Sequence, residues 1–487
     1  MSAVAAEAQT RNWGPEALKV SRLRRRQHQD AVADTRDKWV KSNGYFYARI
    51  ARLLKFIVEP GKRVLEVRCQ TGHLLNSVKP SYGVGLDISE KLVSLAAKNF
   101  PNLRFECADP EDVALGEKFD YVLFSHVFDT VDLLTAFERV RQHCTPETRL
   151  IIINYNPLWQ PAVDLASKVG LRSSFIEPNW VNETDLSGFL NLSGFRPIRT
   201  HRILLFPKYV PLISSLFNDL LGRLPGLRKL CMMQVVVARL FPDSKPAEQV
   251  SVSVVVPCRN EKGNVLAAVE RIPKMGKYTE IIFCDDKSTD GTADEVRRLQ
   301  KRFPDKNIRL LDGPGICKAE NVWTGFRGAT GDVLMILDAD LTVMPEELPF
   351  FFRAIVDNRG EFINGSRLVY PVPRDAMKFA NRLGNKVFGM IFSFLLDQHI
   401  KDTLCGTKVL WRRDWARIEG NLGRWGIKDL WGDYELLFGA SKLHLEITEV
   451  PVHYQERVYG VTKMTRVLWN GARMLRMCSG AWLRLHG

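Results

Sequence analysis

Carboxylates stand at the ends of three apolar runs in the second half of this 487-residue chain. Gly331-Asp332-Val333-Leu334-Met335-Ile336-Leu337 runs into Asp338-Ala339-Asp340. Glu280-Ile281-Ile282-Phe283-Cys284 runs into Asp285-Asp286-Lys287-Ser288-Thr289-Asp290-Gly291-Thr292. Residues 250–256 are rich in β-branched valine and end at Pro257-Cys258-Arg259-Asn260-Glu261. Acids gathered at one place repel unless something holds them together. A divalent cation supplies a reason, and a phosphate-bearing substrate shares that cation. Mg2+ or Mn2+ on Asp338 and Asp340 would act as a Lewis acid on a nucleotide diphosphate leaving group. Asp286 and Glu261 are then left to accept hydrogen bonds from base and ribose. Taken singly, each motif has a plainer reading: an acid after a strand can cap a helix, and Asp290-Gly291 is a turn.

The elements that place these acids follow from the pattern. Apolar strands alternate with helical stretches, which implies a parallel sheet with its ligand at the strands' C-terminal ends. The same alternation fills the first half. Strands are predicted at residues 63–67, 84–87, 119–124 and 150–154, with helices at 90–99 and 133–143 between them. The predicted fold class is α/β, with two Rossmann-like parallel-sheet domains in tandem. Residues 1–39 form a basic arm, 40–207 the first domain and 208–249 an amphipathic connector and linker. Residues 250–461 form the second domain, and 462–487 a basic amphipathic helix. Within the connector, Leu212, Ile213, Leu216, Phe217, Leu220, Leu221 and Leu224 share one helix face. That face either packs between the domains or faces a membrane.

The second half resembles an inverting family 2 glycosyltransferase, of the nucleotide-sugar-binding glycosyltransferase A type, over about residues 250–465. It is most similar to dolichyl-phosphate mannosyltransferases and their polyprenyl-phosphate relatives. The resemblance implies nucleotide contacts at Pro257, Glu261 and Asp286, with Cys284 alongside. It makes Asp338-Ala339-Asp340 the metal and diphosphate motif, with Asp340 catalytic. Arg367, in Gly365-Ser366-Arg367, becomes a phosphate or sugar contact, and Arg382 a basic residue on the acceptor helix. Asp402 corresponds to an acid before the Cys405-Gly406 loop, and Arg457 and Lys463 to a pattern that closes over the diphosphate. Thr342 stands where the family often has Gln, and Cys258 where it often has Tyr.

The first half resembles class I S-adenosylmethionine-dependent methyltransferases over roughly residues 40–205. Glu66, Gly72, Asp87 and Asp109 are the cofactor-binding positions that this implies. The loop after the first strand departs from the family's glycines, which let backbone approach the ligand closely. Here it reads Glu66-Val67-Arg68-Cys69-Gln70-Thr71-Gly72, which puts Arg68 and Gln70 in the ligand's space. The half is either an unusual methyltransferase or a fold without cofactor binding.

The implied reaction moves a sugar, mannose or glucose, from a nucleotide-sugar donor to a polyprenyl phosphate. A phosphomonoester acceptor is already ionised near neutral pH, since its second pKa is about 6. A sugar hydroxyl acceptor, as in polysaccharide synthesis, instead needs a carboxylate base, for which Asp402 or Asp433 would serve.

Charge indicates where such an enzyme sits. The net charge is +14, yet residues 1–55 and 457–487 together carry nearly all of it. Basic ends suit an anionic membrane surface; nucleic-acid binding lacks a supporting motif. Scattered cysteines and a start without a continuous apolar run indicate a cytoplasmic protein. On a helical projection of residues 462–486, Lys463, Arg466, Arg473, Arg476 and Arg484 oppose Met464, Val467, Leu468, Leu475, Cys478, Trp482 and Leu485. Such a helix lies in the headgroup plane, which predicts peripheral attachment at the cytoplasmic face. Residues 379–396 offer a second apolar surface.

Overall fold

A computed structural model describes residues 15–168, 178–241, 244–370, 379–426, 428–457, 459 and 467–485. The chain divides into two units, residues 1–241 and 242–486, each built on its own seven-stranded sheet.

Unit 1 contains β1 (Arg63–Val67), β2 (Tyr82–Asp87), β3 (Arg104–Cys107), β4 (Phe119–Phe124), β5 (Cys144–Tyr155), β6 (Phe195–Ile203) and β7 (Met233–Leu240). Their spatial order is β3-β2-β1-β4-β5-β7-β6. β1 to β5 are parallel, and β7 runs antiparallel to both β5 and β6. The sheet is therefore mixed rather than parallel throughout. The predicted connector at 208–249 is corrected too: residues 233–240 are a buried strand inside the first sheet. Val235, Val236, Val237 and Ala238 are fully or almost fully buried, since a strand covered on both faces is apolar at every position.

The basic arm is also part of this unit. Residues 15–42 are one helix. Its Arg25 and Gln29 are buried, and both bind Asp129 beyond the end of β4.

Unit 2 contains β8 (Val252–Cys258), β9 (Thr279–Asp285), β10 (Asn307–Asp312), β11 (Val333–Ile336), β12 (Phe362–Ser366), β13 (Lys408–Trp411) and β14 (Ile447–Pro451). The order is β10-β9-β8-β11-β13-β12-β14, with β13 antiparallel to its two neighbours. That single reversal matters for the site. The first residue of an antiparallel strand lies level with the last residues of its neighbours, so Lys408 pairs with Asn364 near the C-terminal end of β12. The loop before β13, carrying Asp402, Cys405 and Gly406, thereby reaches the edge where β8, β9 and β11 end in acids.

The C-terminal helix, Val467–Arg484, differs from the membrane helix that its sequence predicts. Met474, Met477, Cys478, Ala481 and the following Leu485 are buried in the core of unit 2. Cys478 and Leu485 of the predicted apolar face are thus used in the protein's own packing, with the helix Phe379–Leu396 among the neighbours, while Leu475 stays exposed. What points outward is Trp469, Leu475 and Leu483 with Arg476. Among the described residues, no helix is long and apolar enough to cross a membrane.

This packing gives a direct test. Met477→Ala, at a fully buried site, should lower stability by ~2–5 kcal/mol. Trp469→Ala, which is 67% exposed, should change it by under ~0.5 kcal/mol. Denaturant unfolding of both variants checks this; equal effects would place the helix off the core.

Candidate active site

The edge of the second sheet gathers four carboxylates, each held by one cation. Asp338, just beyond β11, accepts from Lys318 Nζ at 2.6 Å. Asp340 Oδ2 accepts from Arg457 at 2.5 Å. Asp402 takes a two-pronged grip from Arg367, at 2.7 and 2.9 Å, and also the Arg367 amide at 3.0 Å. Asp433 pairs with the fully buried Lys408 at 2.8 Å. Burial alone would raise the Asp338 carboxyl, but Lys318, then Lys408 and Arg367, hold it below the ordinary range. Asp402 behaves likewise: burial opposes ionisation, and Arg367 overrides it.

Local geometry fixes these groups. After Asp338 the chain turns, with Leu341 at φ 54° and its amide donating to the Asp338 carbonyl. Thr342 then caps Asp340 Oδ1 through its amide and its hydroxyl, at 3.2 and 2.9 Å. Thr342 therefore orients the acid rather than replacing a ligand. Gly406 is required beside Asp338, because a Cβ there would lie 2.1 Å from Asp338 Oδ2. Ala339 is buried with its methyl group in the core, so only its backbone could meet a substrate.

The other side of this edge is built from the loops after β8 and β9. Pro257 is half-buried at the end of β8. Glu261 is buried and accepts from Asn264 at 2.8 Å. Asp286 accepts the Gly315 amide at 2.6 Å, fixing the loop that leads to Lys318. Asn260 Oδ1 accepts the Thr289 amide and the Asn260 amide donates to Ser288 Oγ, which stitches the two loops together. One reading is corrected here. Cys284 is fully buried in the core, because alternation along β9 turns its thiol away from the edge. Cys258 is also buried, with Sγ 3.3 Å from the Cys284 carbonyl. Asp402 is held by Arg367 on both carboxylate oxygens. Arg382 lies in the first turn of the helix Phe379–Leu396, but its side chain, like the whole of Lys463, falls outside the described residues.

Among the described residues no group of three or more His, Cys, Asp or Glu side chains could hold a metal. Two carboxylates are enough for Mg2+ or Mn2+ when substrate phosphates complete the shell. Asp338 and Asp340 fit that requirement, and Gly406 keeps the space beside Asp338 open. Each acid carries a cation that a metal would displace.

Lys318 and Lys408 were not marked by the motifs, although each left a signal. A lysine at the first residue of a helix opposes the macrodipole, and a lysine opening the strand Lys-Val-Leu-Trp is charge entering a core.

The corresponding edge of unit 1 is closed. Arg68 follows β1 at φ 64°, is 2% exposed, and bonds Asp129 beyond β4 while lying 3.7 Å from Asp87. Arg25 binds the other Asp129 oxygen at 3.0 Å. β1 and β4 flank the point where strand order reverses, which is where a doubly wound sheet binds its ligand. Asp87 is spent on the amides of Gln70 and Ser89, and Asp109 on the amide of Glu111. Gly72 packs under Phe105, where a Cβ would lie at 2.7 Å. The void left among Arg22, Arg25, Arg68, Asp109, Glu111 and Asp129 is ≈ 10 Å³, room for about one water. S-adenosylmethionine does not fit these residues as they stand. Glu66 is buried, accepting from Leu75 and Ser125, and burial pushes its carboxyl up to about 8.

Two family models match the two halves of the chain. Residues 253–418 match the glycosyl transferase family 2 model, and residues 39–200 match a methyltransferase domain model. The chain is 31% identical over 217 residues to a dolichol-phosphate mannosyltransferase of Pyrococcus furiosus, covering 44% of this chain and 59% of that protein. It is 37% identical over 114 residues to a dolichol-phosphate mannosyltransferase of Saccharomyces cerevisiae, covering 22% and 41%. A dolichyl-phosphate beta-glucosyltransferase of Trichomonas vaginalis is 28% identical over 251 residues, covering 46% and 71%. The chain thus spans less than two thirds of the first two relatives. Its second half holds a family 2 glycosyltransferase domain and its first half a methyltransferase domain.

Two outcomes test these sites. Gly406→Ala should fold yet displace the Asp338 carboxylate, cutting turnover by up to ~100-fold; paired thermal unfolding and rate measurements separate the two effects. Glu66 has its folded pKa raised above its unfolded value, so its contribution is present below pH 4.5 and lost as pH rises through about 8. Glu66→Gln should flatten that part of the stability–pH profile, measured as the difference from wild type.

Proposed function

We propose that the second half transfers a hexose, mannose or glucose, from a nucleotide diphosphate to a polyprenyl phosphate, with inversion at the anomeric carbon. The ion pairing of Asp402 and Asp433 carries this reading. A sugar hydroxyl must give its proton to a carboxylate as it attacks, and both acids suited to that task are bound to cations. A phosphomonoester needs no such base, having lost its proton near pH 6. The names of the relatives in Pyrococcus, yeast and Trichomonas support the same acceptor class.

The residues then divide by role. Pro257, Glu261 and Asp286 border the nucleotide. Asp338 and Asp340 would hold Mg2+ or Mn2+, which when bound neutralises charge on the departing diphosphate. Lys318 and Arg457, released from those acids, are placed to meet the phosphates. Arg367, kept rigid by Asp402, presents a fixed cation to the acceptor or donor phosphate.

Unit 1 serves as a scaffold rather than a methyltransferase, because Arg68 and Asp129 occupy the cofactor's place. Attachment is peripheral, on the cytoplasmic face of an anionic membrane. In unit 2 it uses the outward Trp469, Leu475 and Leu483 together with the exposed Val387 and Met390 of the neighbouring helix.

A screen of nucleotide-sugar donors with polyprenyl phosphate, read by product mass, tests the main reading. Transfer to saccharides alone would overturn it. Asp340→Asn should reduce transfer by at least ~100-fold and weaken Mn2+ binding measured by electron paramagnetic resonance. Calorimetric titration of the full chain with S-adenosylmethionine should show no binding. A saturable heat would show that the Arg68 side chain moves aside and would revive the methyltransferase reading.

A further inference from the structure

Residues 208–230 of unit 1 invert the usual polarity of a surface segment. They form short helical turns, Ile213–Ser215, Leu216–Leu220, Leu221–Arg223 and Leu227–Leu230. Their buried positions are Ser214, Asn218 and Gly222, spaced by four, while Leu212, Ile213, Leu216, Leu220, Leu227 and Leu230 are exposed. An amphipathic helix at a water interface does the opposite.

The inward polar stripe is fully engaged. Asn218 donates to the Phe206 carbonyl and Tyr45 hydroxyl and accepts the Phe206 amide, at 2.8 to 2.9 Å. Ser214 donates within 2.9 Å to the Lys208 and Val210 carbonyls and accepts the Val210 amide. A loose loop would not need these bonds. They hold the leucines outward, and Leu212 stands at φ 64° with 88% of its surface exposed. A leucine in a left-handed conformation persists only where the surroundings fix it.

The charge around the prominence is positive. Lys208 and Lys229 are exposed at its ends. Beneath it Arg49, Arg52 and Arg223 lie close enough to act on one another, and the Arg223 guanidinium is lowered by burial and by these neighbours. The acid of the segment, Asp219, is paired with Arg49 at 2.7 Å. Exposed apolar side chains flanked by the exposed cations Lys208, Lys229 and Arg52 fit an interface that is anionic outside and apolar beneath.

We propose that the Tyr209–Leu230 prominence docks unit 1 on an anionic bilayer, with Leu212, Ile213, Leu216 and Leu220 entering the headgroup–acyl boundary. This function is separate from the sugar-transfer site and does not depend on which acceptor that site uses. It gives a methyltransferase fold with a closed cleft a part in holding the chain at a membrane.

The test is vesicle co-sedimentation of the full chain with Leu212→Asp/Leu216→Asp. It uses phosphatidylcholine vesicles with and without phosphatidylglycerol. Both leucines are exposed, so the variant should keep the wild-type circular dichroism and the wild-type transfer rate to a short-chain, water-soluble acceptor. Its partition onto phosphatidylglycerol vesicles should fall by roughly 100-fold. Hydrogen exchange of amides in 209–230 should slow on vesicles in the wild type and not in the variant. Equal partition of a folded variant would overturn the proposal. So would a second copy as the occupant, seen as a wild-type dimer by light scattering that the variant dissociates while vesicle binding is unchanged.

Discussion

A carboxylate withdrawn from water must find a positive partner or give up its charge. Asp338, Asp340, Asp402 and Asp433 meet this constraint one for one, with Lys318, Arg457, Arg367 and Lys408. The pairing brings together segments far apart in the chain, because Asp340 and Arg457 are 117 positions apart. It also presets the chemistry. The four pairs leave the cluster balanced in charge, each carboxylate with its own cation. Breaking one partner of such a pair is far more damaging than never having built it.

The same constraint leads to the opposite result in the first unit. Arg68 and Asp129 face each other across the switch point of the sheet, and Arg25 and Gln29 complete the second oxygen's shell and reinforce the first. Buried charges paired this closely are costly to separate, so the cleft is filled by its own chain. Asp87 and Asp109 serve the backbone amides of neighbouring turns.

Apolar surface is governed by a second balance, between packing and exposure. The C-terminal helix buries Met474, Met477 and Ala481 because unit 2 offers an apolar wall to receive them. The segment after β6 meets polar backbone and the Tyr45 hydroxyl instead, so Asn218 and Ser214 turn inward and the leucines turn out. Helical projections of both segments look alike in sequence. What lies beneath each decides which face is buried.

Much of this protein was legible in its sequence. Strands of β-branched residues ending in acids declared two α/β sheets, and Asp338-Ala339-Asp340, Pro257, Glu261, Asp286 and Arg367 fell at one edge because a strand's end is written in its own residues. The Arg68 substitution in the glycine loop was also readable, since close backbone approach is a local demand. The rest depended on contacts between distant segments. Only the fold could show that β13 runs backwards and brings Lys408 and Gly406 to the site, that Asp402 is bound to Arg367, and that Cys284 faces the core. Only the fold could place β7 within the first sheet, pair Arg68 with Asp129 and set the leucines of 208–230 outward. Local sequence fixes which conformations and charges are present; which charges meet, and which apolar face finds a wall, is decided by the chain's long-range packing.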